Sequence, residues 1–119
     1  MRPLDADAFM EITITEENGV VTNACFRCTD EAVLRRCGET ICRALPDHPV
    51  TDLFYMSNNV VYYNIEPELK LNELFNATMA VFAAKRAAAD WCRKNGVAVP
   101  ADADVCGCVT EESEGGELL

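Results

Sequence analysis

The sequence predicts an α+β domain: a small antiparallel sheet with one face packed by two helices. Three observations carry that reading. An alternating apolar run meets an Asn-Gly pair and a second strand-like run, a capped amphipathic stretch follows, and a long Ala-rich stripe at helical spacing comes last. At 119 residues the chain has the size of one domain with one core, and 50% apolar residues suffice to bury a sheet face against helices.

The first strand is read over residues 9–15. Met10, Ile12 and Ile14 alternate with Glu11, Thr13 and Thr15, a period of two that sends one set inward and the other to solvent. Glu16-Glu17-Asn18-Gly19 then supplies a hairpin turn, because Asn and Gly both tolerate positive φ. The return strand spans Val20–Cys28, with Val21, Phe26 and Cys28 among its apolar positions.

A helix is expected over residues 30–45. Thr29 or Asp30 is suited to cap it, acids in the first turn suit the helix dipole, and Ala32, Val33, Cys37, Ile41 and Ala44 form the inward set. Gly38 costs about 1 kcal/mol relative to Ala inside a helix, so its presence points to close packing. Pro46 and Pro49 close the element. Residues 52–56 fit a strand or a short turn of helix, and Ser57-Asn58-Asn59 suits the cap of a second short helix through Val60, Val61 and Tyr62; periodicity cannot separate these options over so few residues.

The closing helix is read over residues 71–94. Leu71, Phe75, Met79, Ala83, Ala87 and Trp91 recur every four residues as its apolar stripe, and Lys94-Asn95-Gly96 ends it with a basic turn and a left-handed cap. The domain therefore covers residues 1–96. Residues 97–119 are Asp, Glu, Gly and Ala rich without apolar periodicity, and read as a loose acidic tail carrying Cys106-Gly107-Cys108.

Twenty acids against ten bases give a net charge of −10, which repels phosphate backbones and anionic lipid. Nucleic acid and membrane surfaces are thus disfavoured as partners. No apolar run reaches the roughly 18 residues of a membrane span, and the opening Met1-Arg2-Pro3-Leu4-Asp5-Ala6-Asp7 is charged rather than secretory. The expected compartment is a reducing cytoplasm. There, seven cysteines read as metal ligands, redox groups or buried side chains before they read as disulfides.

Cys25-Phe26-Arg27-Cys28 has the Cys-x-x-Cys spacing that holds zinc or an iron–sulfur cluster or cycles as a dithiol. On a strand, however, residues three apart point to opposite faces unless a bulge intervenes. Cys28 has its own case: a thiol just ahead of a helix N-terminus, beside Arg27, is favoured as thiolate, with Asp30 and Glu31 opposing. Cys37 and Cys42 stand about 140° apart around one helix and read, with Cys92, as buried packing. Cys106 and Cys108 can chelate a soft metal. His48, between two prolines, reads as a surface residue. The chain shows no phosphate loop, nucleophile elbow or Ser/His/Asp set, so an enzyme is not expected.

Gly19-Val20-Val21-Thr22-Asn23-Ala24-Cys25-Phe26 resembles the G-x-I-x-x-A-x-F strand of NifU/IscU-type iron–sulfur cluster scaffold proteins. In that family the strand runs into a cysteine and a helix, and a long Ala-rich helix closes the chain. Ala83-Ala84-Lys85-Arg86-Ala87-Ala88-Ala89-Asp90-Trp91 is similar to that closing helix, and the resemblance covers roughly residues 7–95. The family's cluster sits on three cysteines and an aspartate. Where the first cysteine belongs, this chain has Leu4-Asp5-Ala6-Asp7, in which Asp5 or Asp7 can at most replace the aspartate. The second matches Cys28 if the loop is shorter, and otherwise Glu31. The third position reads Phe75-Asn76 in place of His-Cys.

The resemblance implies a non-enzymatic scaffold or accessory protein that binds iron or a labile cluster through Cys28, with Cys25, Cys106 and Cys108 as further thiolates and cluster-assembly proteins as partners. A cluster iron needs about four soft ligands, and the matched positions keep one thiolate of three. The same fold without its ligands would serve as a protein-interaction module or hold zinc.

Overall fold

A computed structural model describes residues 8–100. Asp5, Asp7, Cys106 and Cys108 lie outside the described residues. The architecture is α+β, as the sequence predicts: one two-stranded antiparallel sheet with helices on one face.

Strands β1 (Met10–Glu17) and β2 (Val20–Cys28) form the hairpin. Asn18 and Gly19 take φ of 54° and 82°, the turn that the Asn-Gly pair predicts. Met10 stands opposite Cys28, Ile12 opposite Phe26 and Ile14 opposite Ala24, and this set faces the core. Glu11, Thr13 and Thr15 occupy the other face with Arg27, Cys25 and Asn23 across from them, all exposed. The register slips once, between Thr15 and Glu16. An exposed Glu11–Arg27 ion pair of 2.7 Å crosses the outer face, a contact worth no more than about 1 kcal/mol.

Helix α1 (Ala32–Ala44) follows after three residues. Its N-cap is Glu31, without a side-chain capping bond, rather than the expected Thr29 or Asp30. Both of those residues are engaged elsewhere. The Phe9 N–H donates to the Thr29 hydroxyl at 2.7 Å, and Asp30 accepts from Arg35 at 2.8 Å. The buried side of α1 is Leu34, Cys37, Gly38, Thr40 and Ile41, while Ala32, expected inward, is exposed.

Gly38 meets the expectation of close packing. A Cβ there would lie 2.6 Å and 2.7 Å from two atoms of the Phe26 ring. Gly38→Ala should recover about 1 kcal/mol of helix propensity yet lose about 1–3 kcal/mol to overpacking, for net destabilisation. Urea melts of Gly38→Ala and of Gly38→Ala with Phe26→Leu test the origin of the loss. The smaller side chain should recover part of it, and a purely additive double mutant would argue against ring contact as the cause.

The chain then doubles back on β2. The Val21 N–H donates to the His48 carbonyl at 2.9 Å and the Asp47 N–H to the Val21 carbonyl at 2.8 Å, covering the start of that strand's outer edge. Of the two options for residues 52–56 the helical turn is found, and the expected second short helix forms after Asn58. A 3-10 turn (Val50–Tyr55) buries Leu53 and Phe54, and α2 (Asn59–Tyr62) buries Val61. The Asn58 amide donates to the Thr78 hydroxyl at 2.9 Å, pinning this segment to the last helix.

That helix, α3 (Leu74–Asn95), is preceded by a 3-10 turn (Leu71–Glu73) and ends on Gly96 at φ 69°, the left-handed cap the sequence predicts. The phase of its apolar stripe is a correction. Leu71 and Phe75 are 88% and 61% exposed, while Ala77, Ala80, Ala84, Ala88 and Cys92 are fully buried. A row of residues four apart advances about 40° around the axis at each step, so over five steps its ends stand on opposite sides. Small side chains take the buried seam, where α3 packs on both β1 and α1.

Candidate functional site: the strand–helix junction and the thiols

Cys28 ends β2 and faces inward opposite Met10, half-buried against the core. Burial pushes its thiol above the ordinary value; Arg35 pulls it down, and Asp30 and Glu31 push it up again. The expected activation by the helix end is therefore outweighed: desolvation disfavours a thiolate, and Asp30 engages the Arg35 guanidinium in an ion pair. Arg27, which the sequence set beside Cys28, points to the opposite face and pairs with Glu11.

Cys25 is exposed on the outer face, opposite Thr13. The one register slip lies between Thr15 and Glu16, away from residues 25–28, so Cys25 and Cys28 keep the opposite facings that strand geometry dictates. The Cys-x-x-Cys pair does not converge on one ion. The thiol of Cys42, half-buried on α1, is pushed up to about 11 by burial, with a further contribution from the charge of Cys25.

Cys37 is fully buried, and its thiol is also pushed up to about 11 by desolvation. Arg36 lowers it and Glu73 raises it. Arg36 also ties α1 to the segment after α2 by donating to the Pro67 carbonyl at 2.7 Å. At the third position the resemblance singled out, Phe75 is exposed and the Asn76 amide donates to the Glu73 carbonyl at 3.1 Å. His48 is exposed, as expected of a surface residue.

Among the described residues no group of three or more His, Cys, Asp or Glu side chains is placed to hold a metal ion. A cluster iron or a structural zinc calls for about four ligands, and these residues do not fit either. Cys106 and Cys108 were the other expected ligands and lie outside the described residues. All five described cysteines are free thiols. Among the described residues no helix is long and apolar enough to cross a membrane.

Geometry thus defines a small α+β domain with a half-open thiol at a strand–helix junction. No protein-family model matches this chain, and no curated protein matches it.

The thiol environments set an order of reactivity. With a maleimide at pH 7.5, Cys25 should label first among the five described cysteines, Cys28 and Cys42 more slowly, and Cys37 and Cys92 only on unfolding. Mass spectrometry of peptides from a time course reads this, and early labelling of Cys37 would contradict the packing. The same burial links stability to pH. Cys37 keeps its proton in the folded state up to about 11 but loses it near 9.0 when unfolded. Its contribution is complete below pH 9 and is lost as pH rises toward 11, by on the order of 2 kcal/mol. In Cys37→Ala, urea melts across that window should show a shallower decline.

Proposed function

We propose that this chain is a non-enzymatic accessory protein of iron–sulfur cluster biogenesis. It is a NifU/IscU-like domain that works by binding protein partners and offers from its body one thiol, Cys28, to a ligand set completed elsewhere. The observation that carries this reading is the position of Cys28 at the junction of β2 and α1, where it remains half-open. The order of hairpin, short-looped helix and long Ala-rich helix supports it.

The remaining donors would come from Cys106 and Cys108 or from a partner, since the other described thiols face away or are buried. Arg35 is the positive charge that lowers the Cys28 thiol, so it is the side chain that would favour the thiolate during transfer. Raising solvent exposure at the junction, as a partner's approach or a local opening would, reduces the desolvation that opposes it.

Anaerobic purification with iron, zinc and acid-labile sulfide analysis tests the reading, alone and with cluster-assembly proteins added. Iron and sulfide retained by the native chain and lost in Cys28→Ser support it. A single zinc that survives air would assign zinc binding instead. The raised Cys28 thiol and the divergence of Cys25 favour a second reading, a partner-binding module that holds no metal. It requires no metal under any condition, a silent Cys28→Ser, and partner capture that surface substitutions abolish.

A further inference from the structure

The C-terminal end of α1 and the turns that follow it enclose a small pocket. Its volume is about 270 Å³, with Leu45, Leu53, Met56 and Val60 as apolar lining and His48 and Asp52 among the polar groups. Pockets that enclose a whole small molecule run to about 300–1,000 Å³, so this one has the size for a single anchoring side chain. Aromatic residues seated in such pockets carry much of the binding energy of protein interfaces.

An aromatic residue of that kind stands beside the pocket. In a 3-10 helix residues i and i+3 eclipse, so the Val50–Tyr55 turn presents Asp52 and Tyr55 in one row. Asp52 lines the pocket, which puts Tyr55 one turn along the same rim, about 6 Å on at a rise of about 2 Å per residue. Tyr55 is 63% exposed. Tyr63 is exposed too, but it lines a separate hollow with Glu66, Pro67 and Glu68.

A knob beside a hole of matching size on one surface is the condition for an isologous contact, in which a two-fold axis sends each knob into the other copy's hole. Charge fits the same axis. Ala44 and Asn64 divide this pocket from a second cavity lined by Thr40 and Arg43. Arg43 and Asp52 therefore stand on opposite sides of that divide, and neither belongs to an ion pair among the described residues. The other charges on this face are Glu39, one turn before Arg43, and Asp47, beside His48, both exposed. Three acids against Arg43 leave the face acidic. Reciprocal Arg43–Asp52 contacts thus set the register, while burial around Tyr55 supplies the affinity. A foreign partner would have to bring an aromatic anchor and both charges at one spacing; a second copy already carries all three.

We propose that this face is a self-association surface. Two copies of the chain pair about a two-fold axis, each seating Tyr55 in the other's Leu45–Leu53–Met56–Val60 pocket, with His48, Asp52 or Asn64 partnering the phenol oxygen. Helix α1, 13 residues and about 20 Å long, separates this face from Cys28 at its other end. The pairing leaves the strand–helix junction open and does not depend on the function proposed above.

Sedimentation equilibrium of the full chain, from about 5 µM to about 500 µM, reads the association by mass action. A reducing agent excludes dimers linked through exposed Cys25. The chain should be monomeric at the low end and dimeric at the high end. Tyr55→Ala should weaken association about 30-fold or more, the loss of a hot-spot anchor, while Tyr63→Ala should leave it unchanged. Ala44→Leu, which fills the pocket from α1, should weaken it as well. Mixing the two weakened variants separates a lost contact from a lost fold. The Ala44→Leu copy keeps Tyr55 and the Tyr55→Ala copy keeps the pocket, so the mixture should associate more tightly than either alone. With a net charge of −10 on each copy, added NaCl should tighten the dimer by screening repulsion. A chain still monomeric at the highest concentration would overturn the proposal and assign the pocket to a foreign side chain or a small apolar molecule. So would a dimer that survives Tyr55→Ala, or a mixture no tighter than its components.

Discussion

Phe54→Ala should cost about 3–5 kcal/mol, the largest single loss expected in this domain. Phe54 is the largest of the fully buried side chains, 2% exposed, on the turn that packs against α3. Removing its ring takes away the transfer energy of the buried atoms and leaves a cavity that rigid neighbours fill incompletely. Small domains hold about 5–15 kcal/mol in total, so a large share of stability disappears, with a fall in Tm on the order of 20 °C. Tyr55, the next residue, is 63% exposed, and Tyr55→Ala should stay within about 0.5 kcal/mol. Urea and thermal melts followed by circular dichroism make the comparison. Equal losses from the two neighbours would refute the placement of this turn.

Ala84→Leu should destabilise by about 1–3 kcal/mol although it adds apolar surface and keeps helix propensity. Ala84 is fully buried on the seam with Ala80 and Ala88, where the extra carbons have no room. Phe75→Ser, by contrast, removes an aromatic ring from the same helix and should cost about 0.5 kcal/mol or less, since Phe75 is largely exposed. A simple count of apolar residues orders these two variants the other way. The pair therefore tests the rotational phase of α3: a severe Phe75→Ser beside a silent Ala84→Leu would restore the stripe that a four-residue repeat suggests.

Legibility in the sequence tracked how local each determinant was. Asn18-Gly19 placed the turn, the alternation through Ile12 and Ile14 placed the core face, and Asn95-Gly96 placed the end of α3. The opposite facings of Cys25 and Cys28 followed from the period of a strand. The first-helix cap was misplaced because Thr29 and Asp30 had better partners in Phe9 and Arg35, and neither partner shows in the local pattern. Residues 50–69 were ambiguous because contacts with α3, such as Asn58 to Thr78, select helical turns over a strand.

For the candidate site, the strand–thiol–helix order could be read directly, but the state of the thiol could not. Whether Cys28 is a thiolate depends on how much core closes over it, a quantity summed from several elements. The Cys42 thiol is desolvated, and among the described residues the Trp91 indole nitrogen is buried without an acceptor, because α1 and α3 pack on the hairpin.

By itself, then, the sequence determined the hairpin, the capped end of the last helix and the α+β class, since turn chemistry and apolar period act within a few residues. Tertiary structure alone decided which face of α3 is buried and which of the described thiols see water. Those outcomes depend on the steric fit between elements far apart in the chain, and that fit exists only once they have packed.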